Sequence, residues 1–247
     1  MNSTVKITLI GGRGRMGRTL EACAPAAGCE VVASLDKGDD LAAGIRAADV
    51  VIDFSLAEVT GAVIDLCIAA GKPLVIGTTG HGTAERAALR QKAAAIPCVW
   101  TGNYSVGVNL LFHLVRTAAA VLPPEYHAEV VEAHHSLKKD APSGTAVQLV
   151  EQILHGRDWD ESAVVYGREG LPGERPVREV GVHAVRMGDV VGEHTVFFAA
   201  AGERLELTHR ATDRAIFARG ALRAARWLGA GRQAGVYGMA DVLGLKV

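Results

Sequence analysis

Ile7-Thr8-Leu9-Ile10-Gly11-Gly12-Arg13-Gly14-Arg15-Met16-Gly17-Arg18 joins a short apolar run to a glycine loop and then to a segment with helical spacing. The pattern G-x-G-x-x-G falls on Gly12, Gly14 and Gly17, after the first predicted strand and at the start of the first predicted helix. Each glycine has a physical use there: one for a tight turn, one for close approach of backbone amides to a pyrophosphate, one for close helix–strand packing. The second β-rich run, 30–35, ends at Asp36, at the distance where a carboxylate accepts hydrogen bonds from a ribose diol. In a chain with 29 glycines a plain structural turn would show the same pattern, so the neighbouring sequence has to supply the weight.

That neighbouring sequence alternates between two periods. Runs rich in β-formers at 5–10, 30–35, 49–54, 73–76 and 97–100 are separated in most cases by helical patterns such as 15–26, 59–70 and 83–95. This βαβ rhythm predicts a Rossmann-like parallel sheet covered on both faces, an α/β dinucleotide-binding domain over 1–105. Beyond Asn103 the rhythm changes. A helix over 109–121, a strand over 128–133 and a helix over 145–154 lead through a Gly/Pro-rich connection at 167–176 to alternating runs at 180–186, 194–199 and 204–209. These predict a second, α+β domain over 106–215 with a mainly antiparallel sheet, after which a helix over 215–228 and the segment 216–247 return to complete the first domain.

Composition narrows the function classes. The 247 residues are 49% hydrophobic and 21% charged, and 26 Lys+Arg against 27 Asp+Glu leave a net charge of -1. No net field advertises nucleic acid or a membrane surface as partner. The opening MNSTVKITLIGG does not read as a secretory signal, and no apolar run approaches the length of a membrane span. Cys23, Cys29, Cys67 and Cys98 form no C-x-x-C pair and lie in apolar contexts, so buried thiols, a cytoplasmic setting and no metal site are expected.

Two more strand ends match the glycine loop: Gly77-Thr78-Thr79-Gly80 and Thr101-Gly102-Asn103-Tyr104, both at the carboxyl ends of predicted parallel strands, where such sheets bind ligands. Tyr104 is expected to stack near a nicotinamide, with packing at the domain junction as the alternative. Asp36 predicts NADH as the preferred cofactor, because a carboxylate repels a 2'-phosphate; Lys37 beside it predicts that NADPH is accepted.

The second cluster is Glu132-Ala133-His134-His135-Ser136-Leu137-Lys138-Lys139-Asp140-Ala141-Pro142-Ser143-Gly144-Thr145-Ala146. Two imidazoles can exchange protons near neutral pH, two lysines add positive charge, and Ser143, Gly144 and Thr145 offer amides and hydroxyls at a helix N-terminus. Together they describe a pocket for a small acidic substrate with an acid/base group beside it. The alternative is a solvated basic loop with Ser143 as N-cap. His113, His183 and His194 read as structural.

The segment EAHHSLKKDAPSGTA, with IGGRGRMGR, IGTTG, GNYSVGVN and GEHTVFFAAAGERLELTHRATDRAIFARGA, resembles the dihydrodipicolinate reductase family over nearly the whole chain. The resemblance implies reduction of 4-hydroxy-tetrahydrodipicolinate, a small cyclic dicarboxylate, in the diaminopimelate route to lysine, by a homotetramer joined through its antiparallel sheets. It implies His134 as acid/base residue and Lys138 as proton donor, and His135, Gly144 and Thr145 as the grip on the substrate carboxylates. It puts the cofactor on Gly11, Gly12, Arg13, Gly14, Arg15 and Met16, with Asp36 on the ribose, Gly77, Thr78 and Thr79 near its middle and Thr101 to Tyr104 near the nicotinamide. The family often has Glu-Arg where this chain has Asp36-Lys37, and a basic residue at Ser136. An aspartate or semialdehyde dehydrogenase would have no use for His-His-x-x-Lys followed by Ser-Gly-Thr, and a sensor that binds NAD(H) without chemistry would lack a proton donor.

Overall fold

The computed structural model describes residues 4–245 and divides into two compact units. The first holds the described residues up to Val106 and those from Ala215 onward; the second is Gly107–Arg214.

In the first unit, β1 (Val5–Ile10), β2 (Cys29–Leu35), β3 (Val50–Asp53), β4 (Leu74–Ile76), β5 (Pro97–Trp100) and β11 (Gly235–Tyr237) form one six-stranded sheet in the order β11-β5-β4-β3-β1-β2. Every pairing is parallel. Parallel strands need crossovers, and α1 (Arg15–Cys23), α2 (Leu41–Ala47), α3 (Ala57–Ala70) and α4 (Thr83–Ala93) provide them. Burial on both faces explains why β3 and β4 are buried at every residue. The order steps from β1 to β2 on one side and to β3 on the other, so β1 and β3 flank a topological switch point, where such sheets bind ligands.

The C-terminal segment belongs structurally to this unit. In α7 (Ala215–Gly229), Ala218, Ala221, Leu222, Ala225 and Leu228 recur on one face and are buried against Ile7, Leu9, Val50 and Ile52. Its small residues let it sit close: a Cβ on Gly220 would lie 1.7 Å from the Tyr104 carbonyl oxygen. Beyond it, β11 extends the sheet beside β5, and α8 (Met239–Leu243) buries Met239 and Val242 in the same core.

The second unit packs α5 (Val106–Val121) and α6 (Gly144–Arg157) on one face of a five-stranded sheet, ordered β10 (Glu203–Ala211), β9 (Gly192–Ala200), β6 (His127–His134), β8 (Val180–Arg186), β7 (Val164–Tyr166). Leu111, Val115 and Ala119 of α5 and Leu149, Val150, Ile153 and Leu154 of α6 share a core with Val130, Val182, Val196 and Phe198 of the strands. The alternation of buried and partly exposed residues along β6 and β9 matches a sheet with one covered face.

This sheet is mixed, where the sequence pattern predicts a mainly antiparallel one. β9 pairs antiparallel with β10 and β6, but β8 pairs parallel with both β6 and β7. The cause is two crossovers: α6 carries the chain from the end of β6 back to the start of β7, and the connection 167–179 carries it from the end of β7 back to the start of β8.

The glycine loop is held by contacts a side chain would break. Gly11 has φ of +81°, and a Cβ on Gly17 would lie 2.3 Å from the Gly12 carbonyl oxygen and 2.4 Å from that of Gly11. Since the obstructing atoms are backbone, Gly17→Ala is expected to cost about 1–3 kcal/mol of stability through overpacking. Urea denaturation measures this; an unchanged midpoint would contradict the packing described.

Candidate active site

The turn after β1 is anchored to the end of β2: the amides of Gly11 and Gly12 both donate to the Leu35 carbonyl, at 2.8 and 3.1 Å. Gly14 is the N-cap of α1, whose first-turn amides, including those of Arg15 and Met16, have no intrahelical acceptor and suit an anion. Phe54 and Ser55 press on the other side of the turn, with a Cβ on Gly11 falling 2.5 Å from the Phe54 carbonyl oxygen. The turn thus fits close approach of a pyrophosphate.

Beside it lies a cavity of about 270 Å³ lined by Gly11, Gly14, Asp36, Lys37, Leu41 and Phe54, among others. It joins an acidic rim to an apolar floor, as an adenosine needs. The Arg13 amide donates to Asp36 Oδ2 at 2.7 Å, and the Arg13 guanidinium pairs with Asp39 at 2.6 Å. Asp39 also accepts the Asp36 amide at 2.8 Å. The Asp36 backbone amide is the main cause holding Asp39 below the usual carboxylate range; desolvation opposes it and Arg13 adds to it. Lys37 reaches Glu58 of α3, at 3.6 Å. Asp39 and Glu58, which no motif in the sequence marks, therefore pair with both cations near the expected ribose position.

The strand ends β3, β4 and β5 meet nearby. Asp53 is fully buried and accepts from the Ser55 amide and hydroxyl and the Thr60 hydroxyl, while Thr78 accepts from the Ser55 amide. Burial pushes the Asp53 carboxyl up, against the pull of those hydroxyl and amide donors. Gly77 is required because a Cβ there would enter the Phe54 ring. Thr78, Thr79, Thr101 and Gly102 line a smaller cavity of about 70 Å³ with His81 and Trp100. Asn103 turns the chain by accepting the Ser105 amide on its side chain.

Tyr104 is packed into the core. Its side chain is 2% exposed, and its hydroxyl donates toward the carbonyls of Ile76 and Val99, at 2.8 and 3.0 Å. The ring is a core element locking β4 to β5.

In the second unit the expected cluster converges on Glu132, a residue to which the sequence pattern assigns no role. Its carboxylate is fully buried at the end of β6. It accepts two hydrogen bonds from Arg186 of β8, at 2.9 and 3.0 Å, and one from the Ser143 amide at 3.0 Å. His134 Nδ1 completes the set at 2.5 Å. Burial works against the charge on Glu132, but Arg186, His134 and the Ser143 amide overcome it and hold the carboxyl below its usual range. Burial also pushes His134 below the ordinary imidazole value; Glu132 pulls it back only in part, and Lys138 and Arg186 lower it further.

Ser143 caps α6. Its hydroxyl oxygen accepts the Ala146 amide at 3.2 Å and lies 3.0 Å from His194 Nε2, and the residue is 2% exposed. The side chain serves as N-cap and as a strut to β9, with Gly144 exposed and Thr145 half-buried at the helix N-terminus. His194, read as structural, packs edge-on against His134 with ring centroids 5.1 Å apart, and burial holds its imidazole at about 4. His135 is half-buried, and its buried Nδ1 has no protein partner among the described residues. Lys138 bonds both carboxylate oxygens of Asp140 at 2.8 Å.

The strand order, the glycine turn and a basic, imidazole-bearing loop define a dinucleotide-dependent oxidoreductase. Residues 5–104 match the family profile described as dihydrodipicolinate reductase, N-terminus, and residues 107–243 match its C-terminus counterpart. The chain belongs to the dihydrodipicolinate reductase family. A 4-hydroxy-tetrahydrodipicolinate reductase of Alkalilimnicola ehrlichii is 48% identical, covering 98% of this chain and 100% of the relative. One from Akkermansia muciniphila is 51% identical and covers 98% of each. A dihydrodipicolinate reductase from Paenisporosarcina sp. TG-14, solved with dipicolinate bound, has the same fold with a TM-score of 0.78 and 22% identity, covering 96% of this chain and 98% of that one.

Ser143→Ala is expected to cost about 1–3 kcal/mol, the sum of a lost helix cap and a stranded buried imidazole. Chemical denaturation would measure it, and an unchanged stability would mean that the Ser143 contacts contribute nothing net.

Proposed function

We propose that this protein reduces 4-hydroxy-tetrahydrodipicolinate to tetrahydrodipicolinate with loss of water, using NADH in preference to NADPH, in the route through diaminopimelate to lysine. The observation that carries this reading is the loop from His134 to Thr145, in which an imidazole bound to a buried carboxylate stands with a second imidazole, a lysine and a helix N-terminus. Relatives about half identical over nearly the whole chain bear the name of that reaction, and a reductase of the same fold binds dipicolinate, a cyclic dicarboxylate.

The chemistry requires elimination of water to a conjugated imine, then one hydride and one proton. A bound reduced nicotinamide supplies the hydride. Gly11 to Met16 would hold its pyrophosphate, Asp36 its ribose, and Gly77 to Thr79 with Thr101 to Asn103 the segment toward the nicotinamide. On the second unit, His135 with Gly144 and Thr145 grips the substrate carboxylates. The ammonium of Lys138, oriented by Asp140, delivers the proton as charge develops on the ring, and His134 holds or relays it. We further propose a cytoplasmic homotetramer joined through the sheet face that α5 and α6 leave uncovered. Among the described residues no helix is long and apolar enough to cross a membrane.

General acid catalysis contributes roughly 10²- to 10⁴-fold, so Lys138→Ala and His134→Ala are each expected to lower kcat by about 10²-fold or more. Cofactor affinity should be nearly unchanged. The assay forms the unstable substrate in place from pyruvate and aspartate semialdehyde with the preceding synthase and follows absorbance at 340 nm. Full turnover by both variants would refute the assignment, and absence of cofactor oxidation by the unmodified protein would refute the function.

The cofactor preference has its own basis. Asp36 repels a 2'-phosphate, and the two nearby cations already have carboxylate partners in Asp39 and Glu58. A kcat/KM for NADH above that for NADPH is expected; a strong preference for NADPH would contradict it.

A further inference from the structure

An ionised carboxylate can only accept hydrogen bonds. Glu132 is fully buried, and three of its contacts are unambiguous donors: two guanidinium N–H groups of Arg186 and the Ser143 amide. The fourth, His134 Nδ1, must then carry a proton. In a neutral ring this leaves Nε2 bare. On β9, Gly192 lies against that atom: a Cβ there would sit 3.0 Å from His134 Nε2 and 3.4 Å from its Cδ2.

We propose that Glu132 is a positioning residue for the reaction, fixing His134 as the Nδ1–H tautomer so that its Nε2 meets the substrate as a hydrogen-bond acceptor, with Gly192 keeping that atom uncovered. The proposal rests on the assignment of His134 as acid/base residue and sharpens it: in its working form His134 takes or orients a proton, and delivery of the proton falls to Lys138.

The groups around the ring agree. Arg186 from β8 and Lys138 from the loop are cationic and oppose a second proton on His134, while Glu132 on β6 favours one. Asp140 pairs with Lys138, and burial holds both His194 on β9 and His209 on β10 below the ordinary imidazole value. Loss of activity on the acid side should therefore follow protonation of His134, below the ordinary imidazole value of about 6.5.

Glu132→Gln separates positioning from packing. The Ser143 amide and Arg186 Nη2 both donate to the Oε1 position, so the amide oxygen takes that place and the amide N–H turns toward Nδ1. That favours the opposite tautomer, as an Asp-to-Asn change does beside the catalytic histidine of a serine protease. Nitrogen-15 NMR of labelled histidine in the unmodified protein, without substrate, is expected to show His134 protonated at Nδ1 and neutral at pH 7. In Glu132→Gln the proton should move to Nε2 and kcat should fall about 10- to 10³-fold with cofactor affinity unchanged. The acid limb of kcat/KM should shift to lower pH, because the group that raises the His134 pKa is gone.

Gly192→Ala, which leaves Glu132 in place, should keep the Nδ1–H tautomer and still lower kcat/KM at least about 10-fold. An Nε2–H tautomer in the unmodified protein overturns the proposal even if Glu132→Gln does not fold. So does a Glu132→Gln variant with unchanged tautomer and rate. An unmodified protein that shows the Nδ1–H tautomer but no turnover of the dicarboxylate contradicts the proposed function instead, so the two failures are distinguishable.

Discussion

The carboxylate of Glu132 is the constraint around which the second unit is organised. A buried charge is costly unless every lone pair is engaged, and removing one partner of such a group is far more damaging than never having buried it. Here the partners come from separate segments: Arg186 from β8, the Ser143 amide at the start of α6, and His134 from β6 itself. Arg186 also donates to the Asp140 carbonyl, at 2.6 Å. The loop 135–143 is thereby pinned near both ends, and the residues able to meet an anion, His135, Gly144 and Thr145, inherit their placement from a group that does not itself face solvent.

The first unit solves a different problem. Its ligand must approach the backbone, so the requirement is for absent side chains rather than for satisfied charge. Gly11, Gly12, Gly17 and Gly77 sit where a Cβ would strike Phe54, Ser34 or the loop carbonyls. Phe54 is the common wall: its carbonyl limits Gly11 and its ring limits Gly77, while Tyr104 packs tilted against it at 5.7 Å. Polar residues at the same strand ends, Asp53 and Thr78 with Ser55, bond to one another and hold the turns in place.

The parts legible in the sequence are those encoded locally. The βαβ rhythm, the glycine spacing and the cluster from His134 to Thr145 each lie within a few turns of chain, so periodicity and composition expose them. Contacts made across the fold are not legible. Arg186 and His194 reach the cluster from 54 and 51 residues away, and nothing in the sequence of their own strands distinguishes them from the other polar residues there. The i, i+2 spacing of Glu132 and His134 puts both on one face of a strand, and that is the available signal for their pairing. Ser143 and Tyr104 carry a different signal: each sits inside a motif read as functional, while its side chain also makes structural contacts that the motif does not reveal. The mixed character of the second sheet is hidden because β7 is three residues long and alternation along β8 says nothing about the direction of its neighbours.

We propose the loop 134–145 of the second unit, organised by Glu132, as the site for a cyclic dicarboxylate. Backbone-amide NMR during titration with dipicolinate tests it most directly. Saturable shifts centred on His135, Lys138, Gly144 and Thr145 are the predicted result. No shifts, or shifts confined to the glycine turn and the strand ends of the first unit, would contradict it.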